Sequence, residues 1–229
     1  LCELAISEKM QNFLLISTDK AVEPSSFMGL TKRLCELLVL FYGRKNTNVN
    51  FSSVRFGNVI GSSGSVIPIF VDRIKQGKNL MVTHPDMKRY FMTIEEASKL
   101  VLFSMTLKIK QNICYLDMGE QKNILEIAKK LILLFGLDYR VIDKDNNKLE
   151  KNNHKVINIE YSGIKKGEKL YEKLFNDFEV ANKIADTKIF SLKSNFIIGK
   201  EILDLIDYIK NIDNFDEVEF NKKIHNLKI

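Results

Sequence analysis

The stretch that most constrains this chain is Leu14-Leu-Ile-Ser-Thr-Asp-Lys20, which runs on past Pro24 into a helical pattern over residues 26 to 43. The apolar run Phe13 to Ile16 has the length and character of a buried parallel strand. In an open α/β sheet, ligands bind just beyond the carboxyl ends of such strands. The hydroxyl of Thr18, the carboxylate of Asp19 and the ammonium of Lys20 therefore leave the sheet together where a substrate sits. On the helix that follows, Met28 and Lys32 are four apart and share a face, so Lys32 can point back to the same crevice.

The rest of the chain repeats this alternation. Residues 49 to 56 read as the next strand, and Gly61-Ser-Ser-Gly-Ser65 leads through Pro68 into a helix from Ile69 to Gln76. Short strand patterns at Leu80 to Thr83 and Tyr90 to Thr93 flank a polar turn, and Thr93 is placed to cap a helix from Ile94 to Leu107. A strand at Ile113 to Met118 and a helix at Ile124 to Phe135 follow, then a polar stretch, 138 to 154, expected as an exposed excursion. Val156 to Tyr161 reads as a strand, Leu170 to Phe175 as a helix opened by Glu168, and Ile202 to Ile209 as a helix in an otherwise uninformative tail. This order predicts an α/β fold with a largely parallel sheet. The helix over 26 to 43 is nearly all apolar in its second half, so it must pack against a sheet or another subunit.

Composition narrows the function. At 229 residues and 45% hydrophobic content the chain can bury one or two cores. Its net charge of +6 is a mild excess that suits solvated surface or an anionic ligand such as a nucleotide diphosphate. Basic residues do not cluster with aromatics in any nucleic-acid module. Cys2, Cys35 and Cys114 are far apart and read as reduced core residues, and His84, His154 and His225 are isolated from them, which argues against a metal site. The longest apolar run, Leu34 to Tyr42, contains Glu36 and reads as a buried helix, not a membrane span. The chain opens with Leu1, and Leu1 to Lys9 looks like the end of an amphipathic helix whose earlier part lies upstream.

Each candidate residue has two readings. Thr18, Asp19 and Lys20 form an acid/base group, or an Asx-type turn with Lys20 in solvent. Arg55, Asn58 and the Gly/Ser loop lie near an anion site, or belong to a flexible loop. Arg89 pairs with a phosphate or with Asp86, and Glu168 binds a ligand or serves as a first-turn carboxylate.

Taken together, several motifs resemble one family. They are Ser17-Thr-Asp-Lys-Ala-Val, Met28-Gly-Leu-Thr-Lys-Arg33, Arg55-Phe-Gly-Asn-Val-Ile-Gly-Ser-Ser-Gly-Ser-Val-Ile-Pro68, the segment Thr83 to Thr93, Leu116-Asp-Met-Gly-Glu120 and Gly167-Glu-Lys-Leu-Tyr-Glu172. They occur in order over residues 1 to 190 and look like the CapD-type polysaccharide-biosynthesis family, nucleotide-sugar dehydratases of the extended short-chain dehydrogenase/reductase superfamily. The resemblance implies a partial Rossmann-type doubly wound parallel sheet with a smaller sugar-nucleotide-binding lobe. It assigns 1 to 58 to the NAD-binding domain, 59 to 190 to the substrate lobe interleaved with the last Rossmann strand and helix at 94 to 137, and 191 to 229 to a helical extension.

The activity implied is loss of water from UDP-N-acetylglucosamine, with NAD as tightly held cofactor. Lys20 would remove the proton on carbon 5, and Asp19 as a neutral acid would protonate the departing hydroxyl of carbon 6. Thr18 would hold or relay the proton of the 4-hydroxyl, because Met28 stands where the superfamily usually has a tyrosine and a thioether cannot accept it. By the same match, Ser17, Lys32, Phe56 and Asn58 would meet the cofactor, and Asn58, Val66, Ile67, Arg89 and Glu168 the UDP-sugar. The resemblance also implies a cytoplasmic enzyme that pairs with a second copy through the helix at 26 to 43. The Gly-x-Gly-x-x-Gly turn that seats the pyrophosphate of NAD does not occur in this sequence, so the 229 residues alone are expected to bind NAD poorly. Two other readings share many of these features: a UDP-sugar 4-epimerase, which needs no elimination machinery, and a non-catalytic remnant that serves as an interaction module.

Overall fold

The computed structural model describes residues 1–46, 48–107, 112–142, 156–193, 200–211 and 216–226. In chain order the elements are α1 (Cys2–Ser7), β1 (Asn12–Thr18), a 3-10 turn (Asp19–Ala21), α2 (Phe27–Lys45), β2 (Asn50–Phe56), β3 (Asn58–Ile60) and α3 (Val66–Lys75). Next come β4 (Leu80–Val82), β5 (Lys88–Arg89), β6 (Phe91–Thr93), α4 (Ile94–Thr106), β7 (Ile113–Leu116), β8 (Lys122–Asn123), α5 (Ile124–Leu134) and β9 (Asp138–Ile142). The chain ends with β10 (Val156–Tyr161), β11 (Val180–Lys183), β12 (Ile189–Lys193), α6 (Lys200–Lys210) and α7 (Glu217–Asn226). No described helix is long and apolar enough to cross a membrane.

The chain divides into two compact units. The first comprises Leu1–Phe56, Lys99–Asp117 and Lys173–Ile229. Its five-stranded sheet has the order β1-β2-β7-β12-β11, with the first three strands parallel and the last two antiparallel to their neighbours. The β1–β2 register sets Phe13 against Phe51 and Ser17 against Arg55. Residues at even spacing along paired strands share a face, so these four side chains are directed to one side of the sheet. Val39 of α2 packs on that side with Ala5, Val49 and Phe51.

The other flank of α2, Leu34, Leu37 and Phe41, is buried against Ile202 and Leu205 of α6 and Phe220 of α7. The sequence reading expected this apolar helix to pack against a sheet or another subunit; within the chain it packs on the first sheet and, on this flank, on the carboxy-terminal helices. Ser26 caps α2, its Oγ accepting from the N–H of Gly29 at 3.2 Å.

The second unit, Gly57–Ser98 and Met118–Glu172, is built on the parallel sheet β4-β10-β9. Phe70 and Ile74 from α3, and Ile124, Ala128 and Ile132 from α5, are buried with Leu80, Ile157 and Ile159 of that sheet. The amphipathic spacing read in α5 is therefore spent here and not on the first sheet. Conversely, residues 173 to 190, assigned by resemblance to the substrate lobe, fall in the first unit because β11 and β12 complete its sheet. The start of the polar stretch expected as an excursion, Asp138–Ile142, is a strand paired with β10, and 143 to 154 lie outside the described residues.

A second correction concerns residues 170 to 175, which form no helix. Their backbone groups are taken by distant partners: the carbonyl of Leu170 accepts from the N–H of Lys88 at 3.0 Å, and Glu172 exchanges two bonds with the Gln121 side chain. Glu168 consequently sits in a turn before Leu170 and not at a helix start.

Candidate active site

The strand end of β1 carries the three polar residues that the sequence reading singled out, Thr18, Asp19 and Lys20. Asp19 is fully buried, while the Lys20 side chain is 31% exposed and its Nζ lies 2.9 Å from Asp19 Oδ1. The same Oδ1 accepts from Thr18 Oγ1 at 2.9 Å, and Thr18 Oγ1 itself accepts from the N–H of Lys20 at 3.3 Å. Asp19 Oδ2 is buried with no hydrogen-bond partner. A buried polar atom left in that state is costly unless a ligand completes it, so the trio has the form of a site awaiting a donor or acceptor. On α2, Met28 is 47% exposed, and Lys32 Nζ donates to the carbonyl of Ile16 at 3.2 Å. The five residues that the sequence reading grouped, Thr18, Asp19, Lys20, Met28 and Lys32, lie on β1, the 3-10 turn and the first turns of α2, all within one unit. Phe56 is half-buried at the end of β2.

Beneath the trio lies a group of charges that the sequence reading did not identify. Arg55, expected near an anion, is fully buried and grips two carboxylates. Its Nε and one terminal nitrogen reach Glu36 at 2.7 and 2.8 Å, and its terminal nitrogens reach Glu179 at 2.8 and 3.1 Å. Arg33 adds a bond to Glu36 at 3.1 Å and an ion pair with Glu179 at 3.6 Å. Burial pushes the Glu179 carboxyl up, but the hydrogen bonds and charge of Arg55, with Arg33, override that and hold it below the ordinary value. Arg55 is driven the other way: burial lowers it, and the two carboxylates more than restore its charge. Ser17, assigned above to the cofactor, is buried and donates its hydroxyl to Glu36 at 2.6 Å. One signal in the sequence pointed to Glu36, a lone acid inside the apolar run from Leu34 to Tyr42. Nothing local marked Glu179, whose partner is 124 residues away.

The second unit has its own cleft, lined by Asn58, Val66, Met81, Val82, Thr83, Met87, Arg89, Ile124 and Glu168. Four of the five residues read as substrate-binding meet there. The fifth, Ile67, is half-buried one position along α3 and does not line the cleft. Arg89 is buried, and its ion pairs are with Glu168 at 3.5 Å and Glu172 at 3.7 Å, not with Asp86, which instead faces His84 at 3.9 Å. The two carboxylates and the carbonyls of Lys88 and Leu170, which accept from one terminal nitrogen at 2.7 and 3.3 Å, fix the orientation of this guanidinium. Thr83 belongs to a quoted motif but was given no ligand role, and Met81 lies outside the motifs; the Thr83 hydroxyl meets Glu168 Oε1 at 3.5 Å.

Among the described residues, no group of three or more His, Cys, Asp or Glu is arranged to hold a metal ion. All three cysteines are free, and burial pushes the Cys114 thiol up to about 12, leaving it an inert core residue. For a dinucleotide, the residues present fit the nicotinamide-ribose end: Lys32 lies at the strand end with its ammonium on the Ile16 carbonyl, next to the incompletely bonded Asp19. They do not fit the pyrophosphate end, since the sequence has no glycine-rich turn of the required pattern.

A family model described as "Polysaccharide biosynthesis protein" matches residues 1–194. Among curated relatives, the capsular polysaccharide biosynthesis protein CapD of Staphylococcus aureus is 44% identical over 211 residues, which is 91% of this chain and 33% of CapD. A UDP-glucose 4-epimerase of Rickettsia canadensis is 35% identical over 179 residues, covering 77% of this chain and 47% of the epimerase. The chain thus spans a third to a half of the length of these relatives. Among solved structures, Pen from Bacillus thuringiensis superposes with a TM-score of 0.71 at 30% identity, covering 85% of this chain and 56% of Pen. The dTDP-glucose 4,6-dehydratase DesIV of Streptomyces venezuelae, solved with NAD and TYD bound, gives a TM-score of 0.58 at 17% identity, covering 74% of this chain and 53% of DesIV, and shares the fold.

Proposed function

The chain belongs to the polysaccharide biosynthesis protein family, and from that premise we propose that it carries the acid/base and sugar-nucleotide parts of an NAD-dependent UDP-N-acetylglucosamine 4,6-dehydratase. The product is a UDP-4-keto-6-deoxy-N-acetylhexosamine for surface polysaccharide or glycoprotein sugars. The observation that carries this reading is the buried Asp19 in contact with a partly exposed Lys20 at the end of β1. Epimerisation at carbon 4 has no use for a second acid/base pair, whereas elimination across carbons 5 and 6 needs one.

NAD, when bound, supplies reversible hydride exchange with the sugar. Lys32 holds its ribose, and its charge favours loss of the proton from the 4-hydroxyl. That proton has a route: Thr18 Oγ1 already donates to Asp19 Oδ1, so a proton accepted by the hydroxyl passes to the carboxylate, which becomes a neutral acid. The exposed thioether of Met28 has no capacity to accept it. With a ketone at carbon 4, the proton on carbon 5 is acidic. Lys20, whose partly exposed amine lies 2.9 Å from Asp19 Oδ1, takes that proton as the neutral amine. Asp19 then protonates the leaving hydroxyl of carbon 6, so the hydrogen of the 4-hydroxyl departs in the water formed. Lys20 delivers a proton to carbon 5, and because its ammonium is partly exposed and exchanges with water, that proton comes from solvent. In the second unit, Arg89 holds a phosphate of UDP, and Asn58, Val66, Thr83 and Glu168 surround the nucleoside.

A UDP-sugar 4-epimerase is the second reading, supported by the 35% identity to the rickettsial protein of that name. One experiment separates the two. The complete enzyme is incubated with UDP-N-acetylglucosamine and NAD in deuterated water, and the products are followed by NMR. A dehydratase gives a new methyl group with deuterium at carbon 5, and an epimerase gives UDP-N-acetylgalactosamine with none. Asp19→Asn and Lys20→Ala each abolish water loss; full turnover by either variant sinks the assignment.

A further inference from the structure

The turn that carries Asp19 and Lys20 is tied down on both sides by the buried charge group. On its amino-terminal side, Ser17 donates to Glu36 Oε1 at 2.6 Å, and that oxygen is fixed by Arg55 Nε at 2.7 Å. On its carboxy-terminal side, the N–H of Glu23 donates to Asn176 Oδ1 at 3.2 Å, and Asn176 Nδ2 donates to Glu179 Oε2 at 2.9 Å. Glu179 is in turn gripped by the same Arg55. The two tethers thus converge on one guanidinium, and only four residues separate Thr18 from Glu23.

Two further observations show that the turn needs holding. Glu23 has φ of 42°, in the left-handed region that a residue with a Cβ adopts only at a cost. Asp19 keeps one oxygen buried without a partner. Both conformations would relax if the flanking strand end and loop were free. A carboxylate bonded on both oxygens by a fork-shaped donor is among the most rigid anchors a protein can build. Its four charges sum to zero, two guanidinium groups against two carboxylates, so the anchor does not itself alter the charge near Asp19.

We propose that Glu36 and Asn176, both fixed through Arg55, are positioning residues that hold the Asp19–Lys20 turn in reactive geometry. The proposal rests on the dehydratase reading for its consequence in turnover, but not for the anchoring itself. Glu36→Ala takes away one of the two carboxylates that balance the buried Arg55 and Arg33 and is expected to misfold, so the informative variants are Ser17→Ala and Asn176→Ala, each of which removes one tether and no charge. Amide hydrogen exchange on the 229-residue chain reads the anchoring directly. Losing one tether raises exchange at the amides of Lys20 and Glu23 by about 5-fold or more, with β2 and β7 amides unchanged. In the enzyme loaded with NAD, kcat falls about 10-fold or more while KM for UDP-N-acetylglucosamine stays within about 2-fold. A uniform rise in exchange across β2 and β7 overturns the proposal, because it marks a merely structural group; so does a local rise with unchanged kcat. If the parent protein makes no 4-keto product, the dehydratase reading fails, and the exchange pattern still decides whether the turn is held as stated.

Discussion

Gly29 stands where α2 crosses the backbone of the catalytic turn, and replacing it with alanine sets two effects of opposite sign against each other. Helix propensity alone favours alanine by about 1 kcal/mol. Against this, a Cβ at Gly29 would strike the carbonyl oxygen of Lys20 well inside the 3.0 Å limit that real Cβ atoms respect, with the carbonyl carbon at 3.3 Å and Pro24 Cβ at 3.2 Å. The struck atoms are backbone and a proline ring, so no rotamer change relieves the contact. A contact with backbone that nothing can relieve falls in the upper part of the range for overpacking, about 2 to 3 kcal/mol, and the clash therefore wins by about 1 to 2 kcal/mol. For a chain of 229 residues, a net loss of about 1 to 2 kcal/mol lowers Tm by about 2 to 8 °C. The catalytic effect is larger, because the atom pushed away belongs to Lys20: a shift approaching 1 Å costs about 100-fold in rate. Scanning calorimetry and turnover with UDP-N-acetylglucosamine measure the two. A Gly29→Ala variant that is more stable than the parent and equally active refutes the reasoning, since helix propensity would then have outweighed the contact.

Two other predictions follow from the charged groups. Glu179 has its carboxyl held below the ordinary value of 4.5, so its contribution to stability is fully present above about pH 4.5 and is lost as the pH falls through its depressed value; urea midpoints should drop below pH 4.5, and a Glu179→Gln variant should show a smaller drop than the parent. Arg89→Ala removes the guanidinium held between Glu168 and Glu172, and calorimetric titration with UDP should show affinity reduced by about 10- to 100-fold; an unchanged Kd in a folded variant would exclude Arg89 from phosphate binding.

The acid/base trio was legible because its members are neighbours in sequence. A short apolar strand, a polar break and a helix fix where Thr18, Asp19, Lys20 and Lys32 emerge, and the Met28–Lys32 spacing survives because α2 is regular through both positions. Val66, Arg89 and Glu168 share the cleft foreseen for them with Asn58. What misled the reading was the partner of each charge. For Arg89 the protein partner weighed against a phosphate was its near neighbour Asp86, yet its ion pairs are with Glu168 and Glu172, contacts that depend on the chain returning after about 80 residues. Residues 170 to 175 look helical by composition, but Lys88 and Gln121 claim their backbone groups.

The sequence by itself determined the local chemistry: which strand ends in acid and base, which helix follows, and which family the motifs resemble. Those features rest on periodicity and short spacing, which the backbone enforces within a few residues. Only the tertiary structure decided what surrounds them. Arg55 turned from an anion-site candidate into the buried anchor of Glu36 and Glu179, Ser17 became its tether, and the apolar flank of α2 was covered by α6 and α7. The physical reason is the same in each case. A buried charge or apolar face must find a partner, and no local rule in the sequence says which distant residue the fold will bring to it.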